Sequence, residues 1–130
     1  MNTLENNEYW EMTQNEDARA IELHWKAATA AMSAEDFKQA LEQLASHIAG
    51  SDATGTLVDL RDFGFAPTLE LDEWRREKIV PAYNAGGLKR FAYLLPPGVE
   101  DRPGGRGGSD AFATDWFDDA GEARSWLRDA

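Results

Sequence analysis

Apolar and polar positions along the chain switch between two periods. From Arg19 to Trp25 they alternate, with Ile21, Leu23 and Trp25 on one side and Ala20, Glu22 and His24 on the other, which predicts a half-buried strand. Glu8 to Gln14 alternates more weakly around Tyr9, Trp10 and Met12, and the polar turn Asn15-Glu16-Asp17 separates the two segments. Together they read as a hairpin open to water on one face. After an alanine-rich connection over Lys26–Met32, the period lengthens. Phe37, Ala40, Leu41, Leu44, Ala45 and Ile48 fall on one stripe of a helix, capped by Ser33 with Asp36 three residues on, and closed by Gly50.

Thr56–Leu60 is a short run, apolar on both faces, that ends at Arg61-Asp62. Such a strand belongs inside a parallel sheet with helices packed on it. An irregular stretch, Asp62 to Pro67, leads to a second helix from about Leu69 or Leu71 to Asn84, with Leu71, Trp74, Val80 and Tyr83 inward. Pro81 is expected to kink or end it near Val80, and Gly86-Gly87 closes it. Leu88–Leu95 repeats the central run, with Phe91 to Leu95 all apolar. Residues 96–110 hold three prolines and five glycines and almost nothing to bury, so a flexible loop is expected there. A last strand follows over Ala111–Phe117, and then a helix capped by Asp118 or Asp119 with Ala123, Trp126 and Leu127 inward. The polar start, Met1 to Asn7, is expected to be disordered ahead of a single domain over residues 8–130. The alternation of strands and helices specifies α/β: a mixed sheet with parallel central strands, an N-terminal hairpin and helices packed on the sheet.

Composition narrows the chemistry. A chain of 130 residues with 42% hydrophobic residues, five of them tryptophan, can build one core. The absence of cysteine removes disulfides, thiol catalysis and thiolate zinc sites, and suits a reducing compartment. The start lacks a basic and then apolar leader, and no apolar run reaches the roughly 18–20 residues of a membrane helix; the reading is a cytoplasmic protein. A net charge of −11 argues against nucleic acid and anionic membranes. It favours simple solubility or a basic protein partner.

Asp59, Arg61 and Asp62 stand at the carboxyl end of a central strand, where open α/β sheets bind ligands. They read either as a polar ligand rim or as a strand end whose charges satisfy one another. His24 and His47 lack a neighbour at metal-ligand spacing and read as surface or boundary histidines, so no metal site is expected. No serine sits in a G-x-S-x-G context, and no catalytic residue or cofactor site is assigned. Gly104-Gly105-Arg106-Gly107-Gly108 lacks the strand, helix and Lys-Ser/Thr pair of a phosphate loop. Most of the five tryptophans belong to a core, while Trp10, in the weakest strand, reads as core or as an interface between copies of the chain.

The order of elements, the strand Leu57-Val58-Asp59-Leu60-Arg61, the later Lys89-Arg90-Phe91-Ala92-Tyr93 and the ending Trp116-Phe117-Asp118-Asp119-Ala120-Gly121-Glu122-Ala123-Arg124-Ser125-Trp126-Leu127 resemble small bacterial proteins of the SpoIIAA-like (STAS-like) fold. The ending is similar to a "F-D-x-x-E-A-x-x-W-L" pattern, and the resemblance runs from about Glu8 to the end. In the anti-sigma factor antagonists of that superfamily, a serine in an Asp-Ser-Ser-Gly motif is phosphorylated at a helix N-terminus. Here the corresponding stretch is Ala66-Pro67-Thr68-Leu69-Glu70; the motif is absent, and Thr68 reads as a helix cap or as a phospho-acceptor. The resemblance implies a non-enzymatic regulatory or protein-interaction module that binds a partner protein or a second copy of itself. Through the likeness of STAS and CRAL-TRIO domains, it also implies an alternative, a carrier of a small apolar ligand or lipid.

Overall fold

The computed structural model describes residues 2–98 and 112–129. Among these, six strands form one sheet in sequence order: β1 (Asn2–Asn6), β2 (Trp10–Asn15), β3 (Ala20–Trp25), β4 (Gly55–Asp59), β5 (Arg90–Leu94) and β6 (Ala113–Phe117). The first three are antiparallel, and β3, β4, β5 and β6 run parallel to one another. The mixed α/β architecture expected from the periodicity is therefore present, with the Thr56–Leu60 run in the interior of the sheet. Most of the glycine-rich loop, residues 99–110, lies outside the described residues.

The start of the chain corrects the expectation of a disordered segment over residues 1–7. Asn2–Asn6 pairs with β2, with a bulge between Thr3 and Glu5. A polar edge strand carries little hydrophobic signal, but this one is held by its side chains. Leu4 packs on the core. Glu5 Oε1 accepts from Trp10 Nε1 at 3.2 Å, and its Oε2 lies 2.6 Å from His47 Nε2 of the first helix. The bulge and the asparagines at either end blunt an otherwise open sheet edge.

One face of the sheet carries the larger core. Met12, Ile21, Leu23, Trp25, Val58, Phe91 and Tyr93 pack there with helix α1 (Ala34–Ala49) and with the long helical segment before β5. α1 opens with a complete capping box, in which Asp36 N–H donates to Ser33 Oγ at 3.2 Å and Ser33 N–H to Asp36 Oδ2 at 3.3 Å. Every stripe residue read from the sequence is buried.

Pro81 neither ends nor breaks the second helix. Helix α2 (Leu69–Trp74) passes into a π-helical turn over Arg75–Ile79, where Val80 N–H reaches back to Arg75 O, and α3 (Val80–Ala85) follows with the proline in its first turn. A proline has no N–H to donate and its ring crowds the carbonyl four residues back. The wider turn removes that conflict while the chain stays helical.

On the opposite face lies a smaller core of Ala18, Ala20, Leu57, Ala92, Leu94, Ala123 and Leu127, under helix α4 (Ala120–Arg128). The small residues let α4 come close. A Cβ on Gly55 would stand 2.9 Å from Leu127 Cδ2, so β4 starts with the one residue that allows the contact. Asp119 is the cap of α4, accepting from Glu122 N–H at 2.9 Å. The hairpin face expected to meet water is closed at β3, where Ala20 and Glu22 are wholly buried. No helix among the described residues is long and apolar enough to cross a membrane.

Candidate functional site

At the carboxyl ends of β4 and β5, on the larger core's side, the packing leaves a cavity of about 370 Å³. The sheet supplies its floor through Trp25, Val58, Phe91 and Tyr93, α1 supplies Phe37 and Leu41, and α2 with its π turn supplies Leu71, Asp72 and Arg75. The segment after β4 closes it with Leu60, Phe63, Phe65 and Pro67. That segment is irregular yet fixed. Leu60 N–H continues the β4–β5 ladder to Leu94 O at 2.8 Å, and Phe63 N–H turns back to Leu60 O at 3.2 Å. Gly64 N–H donates to Thr29 Oγ1 at 2.8 Å, and Thr29 in turn donates to Lys26 O at 2.7 Å within the 3₁₀ turn Ala27–Ala31. This anchoring aims the two phenylalanines inward. Phe63 lies 5.0 Å from Trp25 and Phe65 is stacked 5.2 Å from Phe37, centroid to centroid.

Polar groups in the cavity wall are few. Arg75 Nη2 donates to Tyr93 Oη at 3.2 Å, and its guanidinium lies over the Phe91 ring at 5.8 Å. Asp72 is drawn outward by an ion pair at 2.8 Å with the exposed Arg76. Tyr83 is wholly buried, and its hydroxyl has no hydrogen-bond partner among the described residues. Burial, above all, raises its pKa and keeps the phenol protonated.

The second constellation lies on the other face. Glu22 accepts from Asn15 Nδ2 at 3.0 Å and from Arg124 Nε and Nη2 at 2.9 and 2.8 Å. Its Oε1 also lies 2.8 Å from His24 Nε2, and His24 Nδ1 lies 2.8 Å from Asp59 Oδ2. Arg61 closes the chain on Asp59 through Nε at 3.0 Å and Nη2 at 2.8 Å. Burial alone would raise Glu22, but hydrogen bonds from His24, Arg124 and Asn15 outweigh it and lower the pKa to about 2. Asp59 likewise overcomes its burial, through His24 and Arg61, and is held well below the usual carboxylate range. Burial pulls His24 down, yet the bonds to Asp59 and Glu22 prevail and raise it to about 9. An imidazolium that donates from both nitrogens has no lone pair for a metal or for base catalysis at neutral pH. Among the described residues no group of three or more histidines and carboxylates is arranged to hold a metal ion.

These shifts fix the pH dependence of stability. Glu22 falls from 4.5 to about 2 on folding, so its contribution is present above pH 4.5 and is lost as the pH drops toward 2. Asp59 acts in the same direction. His24 rises from 6.5 to about 9, so its contribution is complete below pH 6.5 and fades as the pH rises through 9. Stability is expected to peak between about pH 4.5 and 6.5. The alkaline loss attributable to His24 is about 1–2 kcal/mol once solvent screening of this partly exposed ring is allowed for. Urea unfolding at a series of pH values should show that alkaline limb, and His24→Gln should flatten it; equal stability of the wild type at pH 6 and pH 9 would contradict the linkage.

The residues picked out in the sequence are thus divided. Asp59 and Arg61 join the polar chain on the α4 face, so the expected rim does not border the cavity. Asp62 is exposed at the turn beyond them. Thr68 accepts from Leu71 N–H at 3.2 Å, the cap geometry of α2. Trp10 is buried, edge-on to Trp25 at 6.0 Å, so it gives no support to an interface through its ring. His24, read as a surface or boundary residue, is partly buried and is the centre of the polar chain. The signals available for what was missed were Glu22 and His24 at i, i+2 on one strand face, and the Phe63-Gly64-Phe65 alternation inside an irregular stretch. Arg75 and Arg124 gave no signal beyond being helical cations.

No family model matches the chain, and comparison with curated proteins and with solved structures returns no match.

Proposed function

We propose that this chain is a non-enzymatic binding module that takes up one small apolar molecule in the cavity between α1, α2 and the sheet. One observation carries the reading: an aromatic-lined cavity of about 370 Å³ at the carboxyl ends of parallel strands, within the size range of small-molecule sites and in the place where α/β sheets host them. The hairpin, the parallel strands and the closing helix support a SpoIIAA-like placement, with the carrier branch of the sequence reading ahead of phospho-signalling, since Thr68 is a helix cap. A regulatory role fits as well. The segment that walls the cavity leads directly into the exposed Leu69, so occupancy can be read by a partner protein on the surface. The absence of cysteine suits work in the cytoplasm.

Titration with N-phenyl-1-naphthylamine, a neutral fluorescent probe, should give saturable binding of one probe per chain. Leu60→Trp enlarges a half-buried side chain that lines the cavity from the loop, and should weaken binding at least tenfold with little change in thermal stability. Undiminished fluorescence in that variant, or a signal that never saturates, would place the probe elsewhere and remove the proposal.

A further inference from the structure

We infer that the molecule held in the cavity is neutral and carries a carbonyl oxygen, which accepts a hydrogen bond from the hydroxyl of Tyr83 while an apolar body about two rings in size fills the rest. This inference rests on the cavity being a ligand site, and it adds the chemistry of the ligand's polar end.

Tyr83 is aimed by its helix. It lies in α3, just beyond the π turn, and its side chain is part of the cavity lining. Side chains on a helix lean toward the helix N-terminus, which for Tyr83 is the direction of Arg75 in the same wall. Its ring is held on two sides, tilted against Phe91 at 5.8 Å and edge-on to Phe112 at 6.1 Å between centroids. Those contacts fix where the hydroxyl points. Arg75 and Tyr93, both in the cavity wall, are the residues whose charges act on it. The side chain is wholly buried, and its hydroxyl has no hydrogen-bond partner among the described residues. Buried hydroxyls are nearly always bonded, because one taken out of water without a partner costs free energy. A phenylalanine would fill the same space without that cost. The hydroxyl by itself thus weakens the fold, and a ligand acceptor set against it returns the loss.

Burial keeps this phenol protonated, so it meets a ligand as a donor, and one O–H donor matches one carbonyl oxygen. A carboxylate would accept the same bond, but taking its full charge out of water costs far more than a single phenol returns. Arg75 is already committed, with Nη2 donating to Tyr93 Oη at 3.2 Å. A pure hydrocarbon would leave the hydroxyl buried and unmatched. For size, a dry cavity of about 150 Å³ holds one benzene, so about 370 Å³ accommodates roughly two rings beside the carbonyl group.

2-Acetylnaphthalene and 2-isopropylnaphthalene share a shape and differ in carrying a carbonyl oxygen or a methyl group. Each is titrated at pH 7 against the chain loaded with N-phenyl-1-naphthylamine, and displacement of the probe gives its Kd. Water holds the two compounds differently, so the reading is the change in their ratio between the wild type and Tyr83→Phe. The variant should bind the ketone about five- to tenfold less tightly, the scale of one hydrogen bond, and the hydrocarbon within about twofold. 2-Naphthoate, ionised at this pH, should displace the probe from the wild type less well than the ketone does. Without ligand, Tyr83→Phe should melt at or above the wild-type temperature, because a buried hydroxyl is removed and no bond is lost. A variant that melts well below the wild type would show that the hydroxyl serves the fold itself. That result, an unchanged ratio, or naphthoate bound as tightly as the ketone would each overturn the inference and leave the apolar site standing. If the probe does not bind saturably, or neither neutral compound displaces it, the site itself is wrong and the inference goes with it.

Discussion

Glu22→Ala is expected to cost about 3–5 kcal/mol, the largest loss from any single polar side chain in this fold. Glu22 is wholly buried, and four groups among the described residues donate toward it: the Asn15 amide, two guanidinium nitrogens of Arg124 and the His24 ring. Removing the carboxylate leaves a guanidinium and an imidazolium close together at the α4 face with one carboxylate, Asp59, in place of two. The penalty comes from those stranded cations more than from the pair that is lost. Two companions separate the causes. Glu22→Gln keeps the shape and part of the hydrogen bonding, and should fall between wild type and alanine. Glu22→Met combined with Arg124→Leu removes both charges, and should be less harmful than Glu22→Ala alone, because buried ion pairs are often replaceable as a unit. Urea unfolding followed by tryptophan fluorescence reads all three. A Glu22→Ala midpoint indistinguishable from wild type would mean that the polar chain holds nothing together.

That chain also marks the limit of what the sequence discloses. Periodicity is a local signal, and it located the strands, the α1 stripe and the capping box because each is decided within a few residues. Arg124 and Glu22 are far apart in sequence, and their contact depends on α4 packing over β4, β5 and β6 so that the Arg124 side chain reaches β3, which the pattern of Ala123 and Leu127 implies only as far as an apolar face. His24 carried the ordinary look of a polar-face residue, since the two carboxylates that hold it come from its own strand and from β4. Asp59 and Arg61 were recognisable as a strand-end pair, and they are one. The alternative of a ligand rim lies away from the cavity for a geometrical reason: along a strand, successive side chains point to opposite faces, and the cavity took the face of Val58 and Leu60. Pro81 was read correctly as a conflict within the helix, but sequence alone does not distinguish a break from a widened turn. The start of the chain was missed because Asn2–Asn6 is an edge strand with a single apolar anchor, Leu4.

Trp25→Ala should be the other large loss, about 3–5 kcal/mol, or of the order of 10–20 °C in melting temperature for a domain of this length. Trp25 is the point where the N-terminal hairpin, α1 and the segment after β4 meet. Its ring stands edge-on to Trp10 at 6.0 Å, stacks on Phe37 at 5.9 Å and tilts against Phe63 at 5.0 Å. Truncation removes the largest apolar surface in this cluster and three ring contacts, and it leaves a void that joins the existing cavity. α1 and the sheet cannot close that void, because Leu44, Ile48 and Leu23 already pack tightly between them; Phe63, in the loop, is the part free to move. Trp25→Phe should therefore lose distinctly less. The same truncation gives a gain that an ordinary core residue would not. With the cavity enlarged, a bulkier neutral probe such as N-phenyl-1-naphthylamine should bind the variant at least as well as the wild type, and its melting temperature should climb with probe concentration by mass action. Both halves are read in one thermal-shift series. A large loss with no recovery at saturating probe would make Trp25 a packing residue alone, while a small loss would show that the aromatic cluster does not organise the cavity at all.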